Sequence, residues 1–139
     1  MASVEVRDET VIVASRETIA ALIADATRWP GWWPGLEIQV TADRGPAGMA
    51  WAVSGGLVGG VEVVLVEVER AVAVRYLLAV DPTMPGSSTM PRQLPASPRG
   101  RRELADLRRH QQLSWKRTVW ALKDELEITV ESQQTRYGT

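Results

Sequence analysis

The sequence predicts an α+β fold in which an antiparallel sheet packs against one long C-terminal helix. The chain opens with a run in which apolar and polar residues alternate and β-branched residues are common, and further alternating runs follow in residues 36–81. Residues 99–127 then show helical spacing of apolar residues without a break. Strands grouped together and followed by a long helix are typical of the α+β class. We expect the sheet to be curved and to wrap the helix only partly, which leaves an apolar cavity between them.

The composition is that of a single globular domain. The chain has 139 residues, of which 45% are apolar and 24% are charged. Its net charge of -1 argues against nucleic acid or an anionic membrane surface as a partner. The absence of cysteine excludes disulfides, thiolate metal ligands and cysteine nucleophiles. No signal peptide or membrane-spanning stretch is visible, so we expect a cytoplasmic protein that is not integral to the membrane.

The first elements are a strand and a short helix. Residues 4–14 alternate and are rich in β-branched side chains, which favours a strand. Ser15 is a good N-cap for the helix that follows, and Glu17 lies in its first turn. Pro30 and Pro34 end this helix and leave room for at most one further turn.

Four more strands are expected at residues 36–41, 49–55, 60–69 and 72–80. Four glycines at positions 55, 56, 59 and 60 flank Leu57 and Val58. They predict either a hairpin tip or a sharp bend in a curved sheet.

A loop and the long helix complete the chain. Residues 81–98 carry five prolines and predict a long loop that is either a lid or disordered. The helix over residues 99–127 has an inward stripe formed by Leu104, Leu107, Gln111, Trp115, Thr118 or Val119, Leu122 and Leu126. We expect one domain at residues 1–128 and a polar tail at residues 129–139.

The most informative segment runs from Ala26 to Gly35 and holds three of the six tryptophans and two Pro-Gly pairs. Bulky rings on a stiff, turning segment are suited to roofing an apolar space. Trp29, Trp32 and Trp33 are either core aromatics that close one end of the sheet or lid residues whose indole N–H groups contact a ligand.

The order of these motifs resembles the polyketide cyclase/dehydrase branch of the START-like superfamily, also called the helix-grip or SRPBCC fold. The resemblance rests on the opening strand running into Ala14-Ser-Arg-Glu-Thr-Ile-Ala-Ala-Leu-Ile-Ala-Asp25, on Trp29-Pro-Gly-Trp-Trp-Pro34, and on Trp115-Lys-Arg-Thr-Val-Trp-Ala-Leu-Lys-Asp-Glu-Leu-Glu127. It implies a hydrophobic cavity under the long helix and, in some members, cyclase, aromatase or dehydratase activity. Five predicted strands, where the family usually has six or seven, imply either an exposed sheet edge or a wider mouth to the cavity, and so favour a homodimer across that edge.

The last strand allows two arrangements of its side chains. If Tyr76 faces the cavity, its hydroxyl can orient a carbonyl or donate a proton; if the other face does, Arg75 can hold a carboxylate or an enolate. A purely structural role is the commoner outcome for either residue. The residues expected to line the cavity are Trp29, Trp32, Trp33, Trp51, Val53, Val63, Leu65, Tyr76, Leu78, Gln111, Trp115 and Val119.

The polar residues predict no metal site. His110 is the only histidine and lies beside the inward stripe, so it is expected at the solvated surface. The long helix carries arginines in its N-terminal half and acids at its end, which opposes the helix dipole. This layout predicts either ion pairs with strand glutamates such as Glu62, Glu67 or Glu69, or an anionic partner.

Three functions follow as hypotheses. The first is the binding of a hydrophobic small molecule, such as a lipid or polyketide, oriented by Tyr76, Arg75 or Gln111. The second is a cofactor-free cyclase or dehydratase acting in the same cavity. The third is a protein-interaction module that uses the arginine-rich helix and the proline-rich loop. No cofactor is expected under any of them.

Overall fold

The computed structural model describes the backbone of residues 2–137 and the side chains of residues 2–128. It confirms the α+β fold, with one five-stranded antiparallel sheet and a long C-terminal helix in a helix-grip arrangement. The strands are β1 (Val4–Ile12), β2 (Glu37–Asp43), β3 (Gly48–Ser54), β4 (Leu57–Val68) and β5 (Ala71–Pro82). The helices are α1 (Arg16–Ile23), α2 (Trp29–Trp32) and α3 (Pro98–Tyr137).

The sheet order is β1-β5-β4-β3-β2, so the first and last strands of the chain are neighbours. Helix α3 covers the edge formed by β1: the Lys123 ammonium donates to the Val11 carbonyl at 2.7 Å, and the Val13 N–H donates to the Glu127 carboxylate at 3.0 Å. The opposite edge is β2, whose side chains are mostly exposed and whose pairing is irregular between Val40 and Ala42.

The register of β5 decides which of its faces is buried. Tyr76 lies opposite Asp8 on one side and Val63 on the other, and all three side chains are on the face that packs against α1 and α3. Arg75 is opposite Glu9 and Val64 on the outer face. The core therefore lies between one face of the sheet and the helices.

Helix α3 confirms the predicted inward stripe. Trp115, Val119, Leu122 and Leu126 are buried, whereas Gln111 is half-buried. The helix does not end near residue 127 as expected but continues to Tyr137, because no proline or glycine interrupts it between residues 100 and 138. For the predicted polar tail, the side chains of residues 129–137 and the whole of residues 138–139 lie outside the described part of the chain.

The glycine-rich stretch between β3 and β4 has two separate roles. Gly55, with a φ of 118°, makes the hairpin turn, and β4 then begins at Leu57 rather than at Gly60. Gly59 lies within β4, where a Cβ atom would be 2.1 Å from the Ala79 carbonyl oxygen. The strand can therefore approach β5 closely only because this residue has no side chain.

The proline-rich loop is ordered by hydrogen bonds to the β3–β4 turn. The Gly55 N–H donates to the Ser88 carbonyl at 2.9 Å, and the Thr83 hydroxyl donates to the Gly55 carbonyl at 2.7 Å. Within the loop, the Met84 N–H donates to the Met90 carbonyl at 2.8 Å. Among the helices of the described residues, none has the length and apolar character needed to cross a membrane.

Candidate functional site

The tryptophan segment is held at its N-terminal end by a cap and by an ion pair. The Asp25 carboxylate accepts hydrogen bonds from the Thr27 N–H at 3.1 Å and from the Thr27 hydroxyl at 2.6 Å, which caps the short turn before α2. The Arg28 guanidinium donates two hydrogen bonds to the Glu125 carboxylate of α3, at 3.0 and 3.1 Å. These bonds hold the pKa of Glu125 below its ordinary value. The ion pair therefore joins the segment to the long helix.

The rings of this segment pack into the interior. Trp33 is buried, with its ring centroid 5.1 Å from that of Trp51 on β3. Trp29 meets Trp51 edge to face at 5.8 Å, and Trp32 meets Trp33 in the same way at 5.7 Å. Such edge-to-face contacts are favourable geometries for aromatic pairs.

A second set of ring contacts continues this packing as far as α3. The Trp33 indole N–H donates to the Tyr76 hydroxyl at 3.2 Å, and the Tyr76 ring stacks on Trp115 at 3.9 Å with an interplanar angle of 4°. Trp33, which directly follows α2, is therefore linked to Trp51 of β3 and, through Tyr76 of β5, to Trp115 of α3. These rings lie between the sheet and α3, where the sequence led us to expect a cavity.

The environment of Tyr76 counts against a role in proton transfer. Burial raises the pKa of its hydroxyl far above the ordinary value of 10.0, and this effect exceeds the opposing effect of the hydrogen bond from Trp33. A phenol with a raised pKa is a weaker acid and remains neutral at physiological pH. Arg75, the alternative candidate, pairs with Glu9 at 3.2 Å on the outer face of the sheet and does not reach the interior.

Asp8 is a polar residue of the interior that the sequence analysis did not single out. Its side chain is 10% exposed and pairs with Lys116 of α3. The carboxylate also accepts hydrogen bonds from the Trp115 indole at 3.2 Å and from the Thr10 hydroxyl at 2.9 Å. The sequence does contain a signal for this residue. Side chains of a strand point alternately to its two faces, so Asp8 lies on the inward face of β1 between Val6 and Thr10.

The indole N–H groups of the interior rings differ in their partners. Trp29 donates to the Ile23 carbonyl at 2.9 Å. The Trp51 N–H is buried and has no hydrogen-bond acceptor among the described residues. An unpaired buried donor of this kind costs about 1–3 kcal/mol.

A groove of about 480 Å³ lies between the tryptophan segment and α3. Its lining consists of Thr27, Arg28, Gly31, Trp32, Arg117, Thr118, Ala121, Leu122 and Glu125. Trp32, Ala121 and Leu122 supply apolar surface, and this volume is in the range of small-molecule sites. Arg28 pairs with Glu125 at 3.0 Å and also with Asp25 at 3.7 Å, whereas Arg117 makes no ion pair with any described residue.

The other predicted lining residues lie in the core or beside it. Val53, Val63, Leu65, Leu78 and Val119 are buried apolar contacts of the core. Of the twelve predicted lining residues, Trp32 is the one that also lines the groove between α2 and α3.

Among the described residues, the expected pairing between helix arginines and strand glutamates is not formed. Glu67 pairs with Arg16 at 3.3 Å, and Glu62 pairs with Arg44 at 3.9 Å, so these glutamates are matched by arginines outside α3. Within the described part of the chain, no ion pair is formed by the α3 arginines Arg99, Arg101, Arg102, Arg108 and Arg109.

Solved structures with the same fold share little sequence with this chain. The Aha1 dimer from Colwellia psychrerythraea, a solution structure, has a TM-score of 0.59 and 18% identity, over 90% of this chain and 97% of that one. The crystal structure of TTHA0849 from Thermus thermophilus has a TM-score of 0.56 and 15% identity, over 90% and 98%. No family model and no curated relative matches the sequence. These similarities show the fold alone.

Proposed function

We propose that this protein binds a small molecule with a flat apolar body and an anionic group, in the groove between α2 and α3. The observation that carries the proposal is the juxtaposition of the apolar surface of Trp32 and Leu122 with Arg117, which has no acidic partner among the described residues. The sequence-based hypothesis of a hydrophobic ligand is thereby kept, but its site moves from the interior to the adjoining groove because aromatic rings fill the interior.

The groove offers two kinds of interaction to such a ligand. Contact with Trp32 and the neighbouring aliphatic surface removes apolar area from water, worth roughly 25 cal/mol per Å². The Arg117 guanidinium can then donate charge-assisted hydrogen bonds to a carboxylate, sulfonate or enolate. Glu125 does not repel the anion strongly, because Arg28 donates two hydrogen bonds to it.

The fold supports binding of an apolar ligand in general terms. Helix-grip proteins commonly hold hydrophobic molecules beside the long helix, and the motifs of this chain resemble the polyketide cyclase/dehydrase branch. A polyketide-like acid or a lipid acid has the chemistry that the groove favours. The proposal is binding rather than catalysis, because Tyr76 is buried and does not line the groove.

Two naphthalene dyes test the proposal. 1-Anilinonaphthalene-8-sulfonate and N-phenyl-1-naphthylamine share their ring system and differ in the sulfonate. We expect Arg117→Gln to weaken binding of the sulfonated dye about fivefold, the effect of one partly exposed charge-assisted hydrogen bond, and to leave the neutral dye unchanged. Trp32→Ala should weaken both dyes, since each stacks on that ring. Fluorescence titration measures the affinity of each dye for the unaltered protein and for both variants.

Arg101→Gln is the matched control, because Arg101 is exposed on the same helix but does not line the groove. It should bind both dyes as the unaltered protein does. Equal weakening of the two dyes by Arg117→Gln, or unchanged binding in both the Arg117 and the Trp32 variants, would contradict the proposal.

A cytoplasmic location and a homodimer, both expected from the sequence, are retained as parts of this proposal, without the sheet edge as the interface. The Colwellia psychrerythraea protein of similar fold was solved as a dimer, which is compatible with self-association of this chain.

A further inference from the structure

The outward face of α3 carries two large apolar side chains. Leu113 is 46% exposed and Trp120 is 59% exposed, although both lie in a helix whose opposite face is buried at Trp115 and Val119. They are seven residues apart, which is nearly two full turns, so they are on the same side of the helix. A hydrophobic pair on an otherwise charged face is a feature of helices that pack against a partner.

Two unpaired charges flank this apolar pair. Arg109 is one turn before Leu113, and Asp124 is one turn after Trp120, so the four side chains share one face. Both charged residues are exposed, and neither has an ion-pair partner among the described residues. This face therefore has a positive end, an apolar centre and a negative end.

We propose that this face pairs with the same face of a second copy, with the two α3 helices antiparallel. The apolar pair, Leu113 and Trp120, has its midpoint between Lys116 and Arg117. The charged pair, Arg109 and Asp124, has the same midpoint. A two-fold axis at that point sets Leu113 against Trp120 of the second copy and Arg109 against Asp124 of the second copy. A single alignment of the two helices therefore brings apolar residues against apolar residues and opposite charges against each other.

In each pair of like charges that meet in this register, one member is compensated within its own chain. Asp106 is opposite Glu127 of the second copy, but Glu127 accepts hydrogen bonds from Lys123 at 2.8 Å and from the Val13 N–H at 3.0 Å. Lys116 is opposite Arg117 of the second copy, but Lys116 pairs with Asp8 of its own chain.

Antiparallel pairing also gives a reason for the charge layout of α3. Basic residues at the start of a helix and acidic residues at its end are unfavourable for the isolated helix. In the antiparallel pair, the arginine-rich half of each helix lies beside the acidic half of the other. The interface adjoins the ligand groove at Arg117, but the four residues on which the inference rests, Arg109, Leu113, Trp120 and Asp124, do not line that groove.

Sedimentation velocity over a wide range of protein concentration, at low and at high salt, tests the interface. We expect a reversible dimer that dissociates on dilution and in high salt, because charge pairs contribute to a small interface. Arg109→Glu and Asp124→Arg should each raise the dissociation constant about tenfold, since each sets like charges together twice. The double variant restores opposite charges and should restore the dimer.

Two variants at other surfaces are controls: Arg101→Glu, on α3 outside this face, and Val40→Lys, on the exposed β2 edge. Both should dimerise normally, and circular dichroism should show the same fold in every variant. A wild-type monomer at all concentrations would overturn the proposal. So would failure of the double variant to recover, or dissociation of the dimer by Val40→Lys, which would place the interface on the sheet edge.

Discussion

Tyr76 links the two sets of ring contacts in the interior through a single hydroxyl group. Its ring stacks on Trp115, and its oxygen accepts the Trp33 indole N–H. Since Trp33 directly follows α2 and Trp115 lies in α3, this residue holds the end of α2 and α3 against the sheet at the same time. Asp8 acts in a similar way at the polar side of the stack, where it binds Trp115 and Lys116 of α3.

Tyr76→Phe should lower the free energy of unfolding by about 1–2 kcal/mol. The stacked ring is retained, but the buried Trp33 N–H loses its acceptor and keeps its desolvation cost. Arg75→Gln is the matched control on the neighbouring residue, where an exposed ion pair with Glu9 contributes no more than about 0.5 kcal/mol. Urea unfolding measures both, and equal stability of the two variants would rule out the role given to the hydroxyl.

At the scale of elements, α3 is attached to β1 by side chains that reach the strand's edge. Lys123 donates to the Val11 carbonyl, and Glu127 accepts from the Val13 N–H. These contacts satisfy backbone groups that an edge strand would otherwise leave free for pairing with another chain. No described side chain of α3 makes such a bond to the β2 edge, whose irregular pairing is a common means of limiting sheet extension.

The attachment of α3 should depend on pH through Glu127. The hydrogen bond from Lys123, followed by that from the Val13 N–H, lowers the pKa of Glu127 below its ordinary value of 4.5. A carboxyl group with a lowered native pKa stabilises the fold above its unfolded pKa, and this contribution is lost as the pH falls through the native pKa.

Glu127→Gln should therefore cost about 1 kcal/mol at neutral pH, with little difference from the unaltered protein once the pH is well below 4.5. Thermal unfolding of both proteins across this range provides the measurement. A difference in stability that stays constant from neutral to acidic pH would mean that the carboxylate charge is not what holds the helix.

For the whole molecule, local periodicity was sufficient to predict five strands, their antiparallel grouping and the inward stripe of α3. Periodicity could not decide the face of Tyr76 and Arg75, because that depends on the register of β5 with β1 and β4. The filling of the interior was also beyond prediction. It depends on how closely the sheet approaches α3 and on whether Trp33, Trp51 and Trp115 turn inward together, which are properties of the assembled fold.

The tryptophans themselves provide the most direct test of the central claim, that rings fill the interior and an apolar anion binds in the adjoining groove. Each of the six tryptophans contributes one indole N–H signal to a ¹⁵N-correlated spectrum, and single Trp→Phe variants assign them. On titration with 1-anilinonaphthalene-8-sulfonate, we expect the Trp32 signal to move most, with those of Trp51 and Trp115 nearly unchanged. Large shifts of Trp51 and Trp115 with a constant Trp32 signal would show that the ligand enters the interior, and would contradict this account.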